Sequence, residues 1–282
     1  MAVTRIGVLH PGSMGISIAA TLKTSGVEVY WASQGRSRAT RERAEQYQLV
    51  DVEDPLKLLT RCELLLSICP PHAALAMAAW ATDNGFSGTY LDANAISPAN
   101  SIAIGKVITA GGGDYVDGGV IGGPAWQPGT TWLHFSGPRA EETAALFSAG
   151  PLQANVLSDQ VGDASALKMV FAAQTKGSSA LICATLAAAQ SLGVRDALQQ
   201  QWQDLGMGLA QQAELTLMAV VPKAWRFVGE MEEVAATFEA AGVPREFHHA
   251  AAEVFRRMAG FEDGDEVPEV GELLGKIVWK AD

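Results

Sequence analysis

The sequence is poor in cysteine, in basic charge and in uninterrupted apolar runs, and each shortage argues against a class of function. Cys62, Cys69 and Cys183 are its only cysteines. An odd count without metal-ligand spacing speaks against a disulfide framework or a zinc site and points to buried, reduced thiols. No metal is expected, and His248-His249 reads as a solvated surface pair in a charged helical stretch without a third ligand nearby. Lysine and arginine number 20 against 31 aspartates and glutamates, a net charge of -11. That balance offers no broad basic face to nucleic acid or an anionic membrane, so an anionic ligand must be gripped locally. No stretch approaches the roughly 18 uninterrupted apolar residues of a membrane span. The opening MAVTRIGVLHPG enters a strand-turn pattern at once, unlike a secretory signal, and a cytoplasmic location is expected.

What is present is a globular chain of 282 residues, 48% hydrophobic and 18% charged, long enough for two domains with separate cores. Short β-rich runs alternate with helical patterns as far as Ser158. The runs Arg5-Leu9, Val27-Ala32, Glu63-Cys69, Thr89-Asp92, Asp114-Asp117 and Thr131-Ser136 read as strands bounded by turn residues. Such alternation predicts an α/β domain over 1-160, a doubly wound, Rossmann-like parallel sheet. After Gly162, Ala, Leu, Gln, Met and Glu dominate, predicting an all-helical domain over 161-282. Its spine is a long helix over Asp163-Leu192. Further helices are expected at Arg195-Val220, Lys223-Ala241 and Pro244-Met258, and Glu262-Glu266 reads as an acidic loop.

The first strand runs straight into His10-Pro11-Gly12-Ser13-Met14-Gly15 and then a helix-compatible stretch, which is where a dinucleotide fingerprint belongs. In such a turn one glycine admits the pyrophosphate to the backbone, the next lets helix and strand pack closely, and the helix N-terminus offers free N–H groups. Gly12 and Gly15 suit those roles, with Ser13 and Met14 between them, while His10 stands where the pattern has its first glycine. NAD-binding proteins usually end the second strand on an acidic residue for the ribose diol. Here that place reads Ala32-Ser33-Gln34-Gly35-Arg36-Ser37-Arg38. Hydroxyls and guanidinium groups suit a 2'-phosphate, so NADP is expected, with Ser33, Arg36 and Ser37 as candidate ligands. Pro70 and Pro71 are candidates for shaping the same pocket.

Four segments stand in order along the chain: Gly7-x-x-x-x-Gly12-x-Met14-Gly15; Leu91-Asp92-Ala93-Asn94-Ala95-Ile96-Ser97-Pro98; Val116-Asp117-Gly118-Gly119-Val120-Ile121-Gly122-Gly123-Pro124-Ala125; and Gly162-Asp163-Ala164-Ser165-Ala166-Leu167-Lys168. Together they resemble the β-hydroxyacid dehydrogenase and 6-phosphogluconate dehydrogenase superfamily over most of the chain. The resemblance implies that the second segment lies beside the nicotinamide, the third is a substrate-recognition loop, and the fourth opens the interdomain helix with the catalytic lysine, Lys168. It also places Ile121 where the family has a carboxylate-binding serine, and Ala172 where it has an asparagine one turn after the lysine. Thr175-Lys176-Gly177-Ser178-Ser179 and Ala224-Trp225-Arg226-Phe227-Val228-Gly229-Glu230-Met231-Glu232-Glu233 look like a subgroup whose helical domain is poorly characterised.

The chemistry explains why a lysine fits. Hydride transfer at a carbonyl carbon leaves an oxygen that must gain or lose a proton in step. Desolvation and a nearby oxidised nicotinamide both favour the neutral amine, so lysine can work in either direction. Asn94 is a second catalytic candidate, able to hydrogen-bond the cofactor or the reacting oxygen. Helical spacing from Lys168 brings Ala172, Thr175 and Ser179 onto one stripe. Ile121, Gly122, Gly123, Ala172, Thr175 and Lys176 are the substrate-side candidates. The expected function is NADP(H)-dependent hydride transfer to or from a small carbonyl or β-hydroxyacid-like substrate. Reduction of C=N bonds on the same scaffold and a non-catalytic NADP(H)-sensing module are the alternatives. A homodimer built through the helical domain is expected, since Ala, Ser and Gly on several faces of its long helix admit close helix approach.

Overall fold

The computed structural model describes residues 5–261 and 268–278. Among them, eight strands form one sheet: β1 (Arg5–Val8), β2 (Glu28–Trp31), β3 (Val50–Asp51), β4 (Leu64–Ser67), β5 (Thr89–Asp92), β6 (Asp114–Gly122), β7 (Thr131–Ser136) and β8 (Gln153–Ser158). The spatial order is β3-β2-β1-β4-β5-β6-β7-β8. The first six strands run parallel, and β7 pairs antiparallel with β6 and parallel with β8. Helices α1 (Ser13–Thr24), α2 (Arg38–Gln46), α3 (Leu56–Arg61), α4 (Ala74–Asp83), α5 (Pro98–Ala110) and α6 (Ala140–Ala144) fill the connections.

Both faces of the sheet are covered, which is why its central strands carry continuous apolar runs. In β4, Leu64 and Leu66 join one buried cluster with Ile16, Ala19 and Leu22 of α1. Leu65 between them joins the other, with Ala78 of α4 and Ile104 and Ile108 of α5. The doubly wound α/β architecture read from the sequence is present, and it departs from the expected strand list in two ways. The segment after Asp117 continues as strand to Gly122, pairing Ile121 with Trp132 and Gly122 with Thr131, so much of the expected recognition loop is strand. The edges gain β3, only two residues long, and β8, whose side chains are mostly exposed. Neither carries the buried apolar pattern by which a strand is recognised.

The chain divides into two compact units, Met1–Met169 and Val170–Asp282. Helix α7 (Asp163–Ser191) starts in the first and continues into the second, followed by α8 (Arg195–Asp204), α9 (Leu209–Val220), α10 (Ala224–Ala240), α11 (Glu246–Met258) and α12 (Val270–Ile277). The expected single helix over Arg195–Val220 is two, because the chain turns at Gly206 and the Met207 N–H returns to the Trp202 carbonyl at 2.9 Å. Within this unit α10 lies along α11 through Phe227 against Phe255, ring centroids 5.3 Å apart. His248 corrects the sequence reading: it is buried, 4.2 Å from the Phe238 ring, and burial lowers its pKa. Only His249 of the pair is exposed. Cys62 and Cys183 are buried and Cys69 half-buried, all unpaired, and burial raises each thiol to about 12. The expected acidic loop, Glu262–Glu266, lies outside the described residues. No described helix is long and apolar enough to cross a membrane.

Candidate active site

The turn between β1 and α1 is built by close approach. A Cβ on Gly15 would stand 2.2 Å from the His10 carbonyl oxygen and 2.9 Å from Ile68, so only glycine lets α1 begin this near the strand. Gly12 is different. It is the N-cap of α1, no side chain caps that helix, and a Cβ there would meet nothing within 4 Å. The protein itself does not require glycine at this position, whereas an anion approaching the open helix N-terminus would need that space and would meet the N–H groups of Ser13 and Met14. Ser17, which sequence reasoning missed, ties the turn to the loop after β6. Its buried hydroxyl donates to the Met14 carbonyl at 2.8 Å and accepts the Ala125 N–H at 2.9 Å.

The segment after β2 folds back toward the same turn. Arg36 donates from Nη2 to the Leu9 carbonyl at 2.8 Å, while its buried Nε has no hydrogen-bond partner. Burial lowers its pKa, a cost that an anionic acceptor would offset. His10 lies close by. Burial, then the charge of Arg36, lowers its pKa to about 4, so the ring is neutral at pH 7 and adds no second positive charge. Ser33 is buried and its N–H donates to Asp51 Oδ1 at 3.1 Å. Ser37 caps α2, accepting the Thr40 N–H at 3.3 Å. Arg38 is spent on an exposed pair with Glu42. Gly12, Arg36 and Ser33 thus bring together an open helix end, an under-partnered guanidinium and a hydroxyl. These features fit a phosphorylated dinucleotide.

At the C-terminal ends of the central strands, Asn94 is buried and bridges β4 and β5. Its Oδ1 accepts the Cys69 N–H at 2.5 Å and its amide donates to Ser67 Oγ at 3.2 Å. Those two bonds fix the chain that leads into Pro70, exposed, and Pro71, half-buried at the start of a short 3-10 turn. Asp92, two residues earlier, is buried, with Oδ1 accepting the Asn94 N–H at 2.9 Å and Oδ2 unpartnered. Burial is the main reason its carboxyl is raised to about 7.

The next strand supports the lysine. Residues 117, 119 and 121 alternate onto one face of β6. A Cβ at Gly119 would lie 2.4 Å from the Ala164 carbonyl oxygen and 3.3 Å from Lys168 Cβ, so this glycine seats the first turns of α7 against the strand. Lys168 is half-buried, and Ile121 is buried two residues beyond Gly119 on the same face. Gly122 and Gly123 are exposed at the strand end, with Thr131 donating to the Gly123 carbonyl at 2.7 Å. Asp117, the other residue missed from sequence, is buried under the start of α7. Its signal was available: an acid ending an apolar run directly before two glycines.

The remaining candidates belong to the second unit. Ala172 is buried. Thr175 spends its hydroxyl on the Phe171 carbonyl of its own helix at 3.0 Å. Lys176 is largely buried, 2.8 Å from Glu230 Oε1 and 5.0 Å from the Phe227 ring centroid. The Ala224–Glu233 segment thus supplies the partners that hold Lys176.

Residues 189–258 match a family described as a domain of unknown function, DUF1932. An uncharacterised 28.5 kDa protein of Methanothermus fervidus is 28% identical over 195 residues, 69% of this chain and 74% of its own. Among solved structures, the conserved protein MTH1747, of unknown function and described as structurally similar to 3-hydroxyacid dehydrogenases, is 29% identical with a TM-score of 0.66, covering 90% of this chain and 96% of its own. A 3-hydroxyisobutyrate dehydrogenase from Salmonella typhimurium is 16% identical with a TM-score of 0.71, covering 96% and 99%. A reductive aminase from Aspergillus terreus, solved with NADPH and ethyl levulinate, is 17% identical with a TM-score of 0.59, covering 97% and 99%. The chain thus shares the fold of the 3-hydroxyacid dehydrogenases and related reductases, with the match to the domain of unknown function lying in its C-terminal unit.

Proposed function

We propose that the protein is an NADP(H)-linked oxidoreductase that moves hydride between the nicotinamide and a small carbonyl or hydroxy substrate, with Lys168 as the proton-handling group. The observation that carries this reading is the pairing, in one unit, of an open glycine turn beside Arg36 with a lysine seated by Gly119. When bound, the cofactor supplies or takes up hydride. Gly12, Ser13 and Met14 would hold its pyrophosphate at the start of α1, and Arg36 with Ser33 would meet the 2'-phosphate. Asn94 keeps the nicotinamide-side chain in place through Cys69 and Ser67. As substrate carbon loses hydride, the Lys168 amine would take the hydroxyl proton, and it would return that proton in the reductive direction.

Each taken within its own unit, the substrate-side candidates offer few groups for a carboxylate. Ile121 is apolar, Thr175 donates to its own helix, and Lys176 is paired with Glu230. A buried carboxylate without donors carries a desolvation penalty of several kcal/mol, which favours substrates with an apolar portion. That same feature supports a second reading, C=N reduction, in keeping with the likeness to a reductive aminase solved with an ester ketone. Lys168 favours the carbonyl. The test is NADPH oxidation against aldehydes, ketones, semialdehyde acids, keto acids and cyclic imines. Apolar aldehydes or ketones should give the highest kcat/KM, and Ile121→Ser should narrow their lead over semialdehyde acids. Cyclic imines as the best substrates would move the assignment to imine reduction, and NADPH binding without turnover of any compound would make the protein a binding module.

We further propose a homodimer in the cytoplasm. On α7, Phe171, Gln174, Ser178, Leu181, Ala188 and Leu192 of the following turn fall at heptad spacing and are exposed, a face suited to a second copy. Sedimentation at micromolar concentration tests it.

A further inference from the structure

We propose that Asp117 is the positioning residue for Lys168. The proposal rests on the reading of Lys168 as the proton-handling group, and adds the device that sets its place. Asp117 and Ser136 are opposed in the β6–β7 ladder and buried, at 1% and 0% exposure. Together they absorb the free N–H groups at the start of α7. Asp117 Oδ2 accepts the N–H of Gly162 at 3.1 Å, the N–H of Ser165 at 3.0 Å and the Ser136 hydroxyl at 2.9 Å. Oδ1 accepts the Ser165 hydroxyl at 2.6 Å, and Ser136 Oγ accepts the N–H of Ala164 at 3.0 Å. Four donors on one desolvated carboxylate, at the positive end of a long helix, make a stiff joint. It is an external cap: the residues that close this helix lie on neighbouring strands, not on the helix.

The joint sits one turn before the working group. Ser165 precedes Lys168 by three residues on the same face of α7. Gly119, two residues after Asp117 on the same side of β6, receives Ala164 and Lys168 directly. Asp117 therefore fixes the height and rotation of the helix at β6, and Gly119 fixes its depth. A rigid helix transmits any slack in its first turn to the lysine, and a misplacement of about 1 Å is enough to cost on the order of 10²-fold in rate.

The experiment compares Asp117→Asn, Ser165→Ala, Ser136→Ala, Lys168→Ala and the Asp117→Asn/Lys168→Ala double variant, using the best substrate of the panel and ethylamine as a diffusible amine. Asp117→Asn replaces one acceptor oxygen by an –NH2 and removes the negative charge from the helix end, which weakens every bond in the joint, so it should lower kcat by about 30–100-fold while KM and NADPH affinity stay within about threefold. Ser165→Ala and Ser136→Ala keep the carboxylate and should each lower kcat by roughly 3–10-fold; they decide the matter if Asp117→Asn does not fold. Ethylamine should restore Lys168→Ala and the double variant to the same rate, because a free amine does not depend on the helix joint. The proposal is overturned if kcat in Asp117→Asn and both serine variants stays within twofold of the parent, if KM and NADPH affinity collapse in step with kcat, or if the double variant is rescued far less than Lys168→Ala. If the amine restores neither, the kcat ranking and its separation from KM decide. Failure of the underlying reading is separate: it would show as unchanged turnover in Lys168→Ala.

Discussion

The first turns of α1 and α7 present the same physical problem and meet opposite solutions. Each helix start exposes N–H groups and the positive end of its dipole. At α1 the cap is Gly12, no side chain satisfies the turn, and a Cβ would find only open space. At α7 a buried carboxylate and a buried hydroxyl from β6 and β7 take the N–H groups of Gly162, Ala164 and Ser165. At one helix start the protein leaves room for a ligand's charge, and at the other it supplies its own. An end left open can receive a phosphate, whereas an end closed from within holds a side chain to a fixed place.

Removing the side chain that the closed end holds should have the greatest consequence. Lys168→Ala should lower turnover by roughly 10²–10⁴-fold, the range of a lost general acid-base group, with NADPH affinity within a few fold. Steady-state kinetics on the best substrate checks it.

At the open end, two glycines separate fold from ligand. Gly15→Ala drives a Cβ toward the His10 carbonyl oxygen, a backbone atom that cannot swing away, and should destabilise the fold by about 1–3 kcal/mol and abolish NADPH binding. Gly12→Ala meets no protein atom within 4 Å, so its melting temperature should match the parent while NADPH binds at least about tenfold more weakly, through steric exclusion at the helix end. Equal affinity in Gly12→Ala and parent would mean that the open turn is not the anion site. Calorimetry and NADPH fluorescence give the two readouts. Arg36→Ala sharpens the same point. It should weaken NADPH by about 1.5–3 kcal/mol and leave NADH nearly untouched, whereas equal losses would mark the arginine as structural.

A pH-dependent contrast concerns the two carboxylates that stand side by side on β5 and β6, Asp92 and Asp117. Asp117 has four donors. Asp92 is met by Asn94, its Oδ2 has no hydrogen-bond partner among the described residues, and its pKa is raised to about 7, chiefly by burial. Between its ordinary value and about 7 the native state holds a proton that the unfolded chain has released. Stability from this group is therefore lost as pH rises through that window, by at most about 1.4 kcal/mol for each pH unit crossed. Asp92→Asn should raise the melting temperature at pH 8 by several degrees and change it little at pH 4. His10 works in the other direction. Its lowered pKa, near 4, means that the unfolded chain takes up a proton first as pH falls below about 6.5, so stability declines from there toward pH 4. Thermal melts of Asp92→Asn and His10→Asn across pH 4–8 separate the two contributions.

Much of this was legible in the chain. Leu64-Leu65-Leu66 is apolar on both faces because helices cover both, and that continuous run announces a central parallel strand. Gly12, Gly15 and the glycine pair after Asp117 mark places where backbone must come close to something. The edges were less legible: β3 is too short and β8 too exposed to carry a pattern, and His248 looked solvated because its aromatic partner, Phe238, comes from the preceding helix. Lys176 showed the same gap, since its carboxylate partner lies 54 positions away at Glu230.

Composition and local pattern set the alternation of strand and helix, the glycine turn after β1, the basic and hydroxyl residues after β2, and a lone lysine in the first turns of a long helix. These depend on residue type and on spacing along one element, and periodicity records both. Packing set the rest: Asp117 and Ser136 close α7, Arg36 reaches back to Leu9, Asn94 spends its amide on Ser67 and Cys69, and Asp92 Oδ2 is left without a hydrogen-bond partner among the described residues. Each of those depends on groups brought together from separate elements, where burial removes water as the alternative partner, and a linear pattern does not record which donor meets which acceptor.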